Sequence, residues 1–415
     1  MSLAVTGAIV EGETVALRCE DGEIAEIGPQ VRAAAGDEVL DAGGGALVPP
    51  LVNGHTHAAM TLFRGYGDDL PLMRWLQEKI WPVEERLEPE DVYWGTRLAC
   101  LEMIRTGTGR FWDMYWHPEA TARAVVDSGL RAAIGVPLLD AMPGPTGLRE
   151  AAVESLEQLG GHGPMIRPSL APHAIYTVGS ESLAWIAEHS NGLGAPVQIH
   201  LSETEQEVED CLREHGERPA HYLDRLGLLG ERTLLAHGVW LDRSELELIA
   251  ERRSTVVSNP VANQKLAVGG VFPYPAAREA GVAVGLGTDG AGSNNSLDLL
   301  ADTKAFALIQ KHAAGDAAAV DAGETWEIAT GGRAPLLGAN GRLSPGQPAD
   351  FLVLRPGAYE LALGDPQAAL VYAASGSVVD ATVVAGRLLM RDGEVPGADE
   401  VVARAAERAA RLGLR

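Results

Sequence analysis

Two histidines separated by one residue, His55 and His57 in VNGHTH, are the first side chains along the chain with the spacing to share a ligand. In a strand, positions i and i+2 point to the same side, so the two imidazoles can converge on one point. Alone, the pair fits two polar turn residues equally well. Three further groups change that reading. His200 follows the apolar run PVQI, His237 follows TLLA and Asp289 follows VGLGT, each at the carboxyl end of a short apolar segment. Imidazoles with one carboxylate suit a borderline divalent ion such as zinc, with a position left open for water. Glu203, three residues after His200 in HLSE, is placed to move protons between water and a leaving nitrogen, as metal-assisted C–N cleavage requires. Its alternative is a plain acid opening the helical stretch ETEQEVEDCL. His173, in APHAIYT, reads either as a substrate contact or as a packed loop histidine. The other histidines fall in helical or connecting segments and carry no expectation of function.

For these groups to meet, the apolar segments must lie side by side with one polarity. Eight strand candidates, 47–55, 108–114, 131–139, 165–172, 196–203, 232–239, 254–259 and 282–289, alternate with helical stretches that include 90–105, 119–128, 181–190, 242–252 and 296–312. That alternation predicts an α/β chain folded as a (β/α)8 barrel of the TIM type, whose carboxyl-terminal rim is where catalytic groups sit. A doubly wound sheet with a β-rich accessory domain is the alternative. The flanks, 1–46 and 346–415, read as short strands with turns (GAIVEGETVALRCEDGEIAEIG, VVDATVVAGRLLMRDGE). They are expected to meet as one small β-sandwich domain, with a terminal helix, beside a barrel over 47–345.

The bulk properties agree and exclude some partners. With 415 residues, 46% of them hydrophobic, the chain can bury a large core. A net charge of −24 argues against nucleic acid and anionic membranes, which need a basic footprint. Its partner is expected to be a small-molecule substrate, with assembly of identical copies left open. No apolar run approaches the ~18 residues of a membrane span, and the start lacks the basic, then apolar, pattern of a signal peptide. The expected location is the cytoplasm. Cys19, Cys100 and Cys211 are too scattered for a disulfide framework or a CxxC site and read as buried small hydrophobes.

Beyond single residues, the chain resembles the amidohydrolase superfamily, and within it the methylthioadenosine/S-adenosylhomocysteine deaminase group, related to triazine hydrolases. The segments that carry the likeness are VNGHTHAAMTLFRGYGDDLPLMRWLQEKIWPVEERL, FWDMYWHPE, APHAIYT, IHLSET, AHGVWL, NPVANQKLA, VGLGTDGAGSNNSLDLL and GRLSPGQPADFLVL. The resemblance implies one divalent ion, zinc before iron or manganese, held by His55, His57, His200 and Asp289. It implies that His237 and Asp289 act with the ion on water, that Glu203 shuttles protons, and that Glu84, His173 and Trp75 contact substrate. Two-metal relatives carry a bridging lysine or acid on the fourth strand. MIRPSLAP at 165–172 contains neither, so one ion is expected.

The implied activity is hydrolytic deamination of an amino-substituted heteroaromatic ring, first an adenosine-type nucleoside such as methylthioadenosine, 5′-deoxyadenosine or adenosine. Oxopurine, pterin, pyrimidine and s-triazine rings are the alternative, and a barrel without chemistry is the third. Relatives that take S-adenosylhomocysteine place arginines for its carboxylate at positions matching Val136 and Leu148, with Arg149 as a substitute for the second. This chain is therefore expected to favour nucleosides with a short, uncharged 5′ end. Two more departures from the family pattern are Ser258-Asn259-Pro260-Val261-Ala262-Asn263 in place of HNPxSN, and Pro49-Pro50 in place of Pro-Gly.

Overall fold

The computed structural model describes residues 2–140 and 149–414. Eight parallel strands close into a barrel: β1 (Leu51–Thr56), β2 (Thr108–Met114), β3 (Arg131–Leu138), β4 (Ile166–Pro172), β5 (Val197–Leu201), β6 (Thr233–His237), β7 (Thr255–Ser258) and β8 (Ala283–Leu286). Their near-continuous apolar runs follow from burial on both faces, between barrel interior and outer helices. Val52, Trp112, Ala133, Leu234 and Val257 fill the lower interior, with Leu336 and Leu337 packed among them.

Local chemistry sets where each helix starts and stops. Helix Pro89–Thr106 opens with a proline and a capping box between Glu88 and Asp91. It ends at Gly107, whose φ of 89° favours glycine and whose close neighbour Leu352 leaves no room for a Cβ.

The chain ends build two further sheets. Strands Ser2–Val10, Glu13–Glu20, Glu23–Gly28 and Glu38–Asp41 form one; Leu47–Val48, Phe351–Leu354, Val379–Val384 and Arg387–Met390 form the other. Leu3, Val5, Leu17 and Ile24 from the first share a core with Phe351, Val353, Ala381 and Val383 from the second, so the sheets pack as a sandwich.

Two details differ from expectation. Residues 47–55 are not one strand: Leu47–Val48 pairs in the sandwich, and β1 begins at Leu51. Pro49 and Pro50 lack the N–H a ladder needs, so pairing breaks there. The terminal helix, Ala398–Leu412, packs on the barrel rather than on the sandwich. Ala405, Ala409 and Leu412 join the cluster around Val92 and Tyr93, and Arg411 donates to Asp91. Among the described residues no helix is long and apolar enough to cross a membrane.

Candidate metal-binding and hydrolytic site

The carboxyl-terminal rim of the barrel gathers the polar residues singled out by sequence. His55 lies in β1, and His57 stands one residue beyond it, where the chain turns into the short helix Ala58–Phe63. His200 is on β5, His237 ends β6, and Asp289 lies three residues past β8. The Nε2 atoms of His57 and His200 are 3.3 Å apart, and Asp289 Oδ1 lies 3.2 Å from His57 Nε2 and 3.6 Å from His55 Nε2. Ligand atoms of His55, His57 and His200, and those of His55, His237 and Asp289, form two groups, each within 4.8 Å.

Hydrogen bonding orients this set toward a cation. His57 Nδ1–H donates to the Met114 carbonyl at 2.5 Å and His200 Nδ1–H to that of His173 at 2.6 Å. Those bonds orient the two rings and point each Nε2 inward. Both ring nitrogens of His55 and the Oδ1 of Asp289 are buried without a hydrogen-bond partner. Unpartnered buried polar atoms are costly, and three of them converging on imidazole and carboxylate neighbours fit a divalent ion.

The charges agree. Burial drives His55 down to about 4 and His200 well below the usual histidine range, keeping these rings neutral as ligands require, and drives the neighbouring His173 to about 3. Burial opposes charge on His57 and Asp289 too. Attraction to Asp289 overrides it in His57, lifting the ring to about 9, and His55 together with His57 holds Asp289 well below the carboxylate range. The proton held between His57 and Asp289 is the one a divalent ion would displace on binding.

Glu203 sits just past β5, buried, and burial raises its carboxyl above the ordinary glutamate range. Its Oε1 lies 3.8 Å from His237 Nδ1. Three rim residues beside these groups, Ser202 (φ 50°), His237 (φ 74°) and Asp289 (φ 62°), occupy left-handed backbone without being glycine. Such conformations cost about 1–3 kcal/mol each and persist where surrounding structure over-determines them.

Sequence reasoning did not identify the groups that hold this rim. His237 Nδ1–H donates to Asn263 Oδ1 at 2.8 Å, so Asn263 of the departing Ser258–Asn263 segment steadies the ring, with Asn259 Nδ2 packed 3.3 Å from the same nitrogen. Ser293 donates to Asp289 Oδ2 at 2.6 Å. Glu207 accepts from the backbone N–H groups of Ser202 and Glu203, both at 2.9 Å. A polar residue just after each strand end was the available signal, and Glu207 carried it four residues after Glu203. Glu207→Gln keeps the volume but turns one acceptor toward a backbone N–H as an NH2 group. It is expected to cost about 1–3 kcal/mol of stability and about 10-fold in turnover, with bound metal unchanged. Thermal unfolding, kcat and elemental analysis check this; wild-type behaviour in both stability and kcat would make the two bonds incidental.

Above the cluster opens a pocket of about 780 Å³ whose wall includes Trp75, Glu84, His173, Glu203, His237 and Asp289. Trp75 and Glu84 come from one helical segment, Leu72–Glu84, interrupted by a π-turn at Leu76–Ile80. Glu84 lies beside Tyr115 and Trp116. Val136 does not reach this space. On β3 the residues alternate, Pro137 facing the pocket while Val136 packs outward in the core. Leu148 and the side chain of Arg149 lie outside the described residues. Among the described residues no arginine or lysine lines the pocket.

The arrangement belongs to known company. A family model described as "Amidohydrolase family" matches residues 46–389. The chain is 46% identical over 399 residues to a 5′-deoxyadenosine deaminase of Methanoregula boonei, covering 94% of this chain and 90% of that one. It is 42% identical over 416 residues to a 5-methylthioadenosine/S-adenosylhomocysteine deaminase of Moorella thermoacetica, covering 97% and 96%. The crystal structure of a zinc-bound adenosine deaminase from Xanthomonas campestris superposes with a TM-score of 0.93 at 34% identity, covering 100% of this chain and 98% of that one.

Proposed function

This chain belongs to the amidohydrolase family, and from that premise we propose that it is a zinc-dependent hydrolytic deaminase of adenosine-type nucleosides, releasing ammonia. The observation that carries the reading is Glu203, a buried acid opening on the same pocket as the inward-facing atoms of His57, His200 and Asp289. Its relatives named for deamination, and the zinc in the Xanthomonas campestris enzyme, support it.

His55, His57, His200 and Asp289 would hold the ion, whose contribution when bound is Lewis-acid activation of water near neutral pH. Glu203 takes a proton from the attacking water and delivers it to the ring nitrogen next to the amino-bearing carbon. Its raised proton affinity suits a group that must both accept and donate. Oxygen adds to the carbon, its remaining proton passes to the amino group, and the C–N bond breaks to release ammonia and leave a ring carbonyl. His237, steadied by Asn263, orients the incoming oxygen. Trp75 and His173 flank the ring, and Glu84 accepts from the ribose hydroxyls. Ammonia release from a panel of amino-purines, nucleosides and pterins with zinc-loaded protein tests this. No reaction with any adenosine-type compound would move the assignment to another amino ring.

Substrate preference follows from the pocket wall. A carboxylate entering a site without a cationic partner loses hydration, whereas a charge-assisted hydrogen bond is worth roughly 1.5–3 kcal/mol. Methylthioadenosine, 5′-deoxyadenosine and adenosine are therefore expected to exceed S-adenosylhomocysteine in kcat/KM by about 10- to 100-fold. Should S-adenosylhomocysteine be the best of the four, a cation outside the described lining, Arg149 first, must meet its carboxylate.

A further inference from the structure

At the opposite end of the barrel three arginines stand on neighbouring strands, all on the side facing the interior. Arg110 of β2 pairs in register with Arg131 of β3, and Arg167 of β4 pairs with Ala133 two residues further along. Two of them are engaged. Arg131 makes a two-pronged ion pair with Asp350 of the sandwich, and Arg167 donates to the Leu336 carbonyl while lying over the Trp112 ring. Arg110 is not. It faces a cavity of about 460 Å³ between barrel and sandwich, lined also by Arg342, Asp350 and the loop Gly338–Ala339–Asn340–Gly341.

Among the described residues neither Arg110 nor Arg342 has a hydrogen-bond or ion-pair partner on its guanidinium. Asp350, the one carboxylate in the lining, is spent on Arg131 and the Ala385 N–H. The backbone N–H groups of Ala339, Asn340 and Gly341 likewise donate to no other group. In a chain of net charge −24, two unpaired guanidiniums around one cavity are a local reversal of sign. Burial pulls the Arg110 guanidinium down to about 10; Asp350 opposes this, and Arg131 and Arg167 add to it. Such a cation is stabilised by a counter-charge.

We propose that this cavity binds a phosphate group, with Arg110 and Arg342 as its charge partners and the 339–341 loop amides as further donors. Two guanidiniums match a dianion in charge, and their forked donors match its oxygens. The bound anion ties the barrel floor to the sandwich at a junction between domains, where ligand sites concentrate. The site is separate from the deaminase pocket and does not depend on that assignment.

Calorimetric titration of the metal-loaded protein at fixed ionic strength tests it, with inorganic phosphate in one arm and glycerol phosphate in the other. One saturable site per chain is expected, weakened about 10-fold or more in Arg110→Met and in Arg342→Met, with ammonia release unchanged. Tighter binding of glycerol phosphate assigns the site to a phosphate ester, and tighter inorganic phosphate to the free ion. No saturable binding of either overturns the proposal, as does wild-type affinity in both variants. If Arg110→Met does not fold, Arg342→Met on its exposed loop decides alone.

Discussion

Glu203→Gln is expected to lower kcat by about 100-fold or more while leaving the metal content unchanged, because proton shuttling is worth about 10²–10⁴ in rate. The substitution is close to isosteric, so packing stays. What it removes is the exchangeable proton. A carboxylate whose proton affinity burial raises can take a proton from water and then place it on a ring nitrogen; an amide does neither. KM should change little, since Glu203 acts on reacting atoms rather than on the ribose or the 5′ end. Two controls separate causes. Elemental analysis shows whether the ion is retained, and thermal unfolding shows whether the Ser202–Glu203 turn, pinned by Glu207, is intact. Near-normal turnover would leave Glu203 an ordinary acid at a helix start, and the proton route would need another residue.

Much of this centre was legible from residue type and position. An imidazole or carboxylate that closes an apolar run in a βα unit has one destination, the carboxyl-terminal rim, and His200, His237 and Asp289 all sit there. The HxH spacing was a weaker guide, because His57 has left the strand by the time it reaches the cluster. The side on which a residue falls was harder. A one-residue step reverses direction on a strand, so Val136 packs in the outer core while Pro137 faces the pocket. Long-range partners were not legible at all. Asn263 reaches His237 across 26 positions, and the pairing of Arg131 with Asp350 spans 219. Only closure of the barrel and docking of the sandwich bring such groups together.

His55→Ala is expected to take the protein from about one bound divalent ion per chain to far less than one, and to abolish turnover with it. Among the proposed ligands His55 is singular. His57 and His200 each donate to a backbone carbonyl through Nδ1, a bond that leaves the inward Nε2 out of it, so their rings are aimed. His55 is fully buried with neither nitrogen in a hydrogen bond, its Nε2 3.6 Å from Asp289 Oδ1. Each unsatisfied buried polar group costs about 1–3 kcal/mol, so in the metal-free protein His55 is a source of instability that the ion relieves. Two effects follow from one substitution. Chelation should lower the Tm of the wild type markedly, because it removes both the ion and the partner of His55. In His55→Ala the same chelator should leave Tm nearly unchanged, since there is little ion to lose and no orphaned ring to expose. Full metal content in the variant would remove His55 from the ligand set. Two ions per reconstituted wild-type chain, or none, would overturn the single-ion assignment, for which β4 offers no bridging acid or lysine.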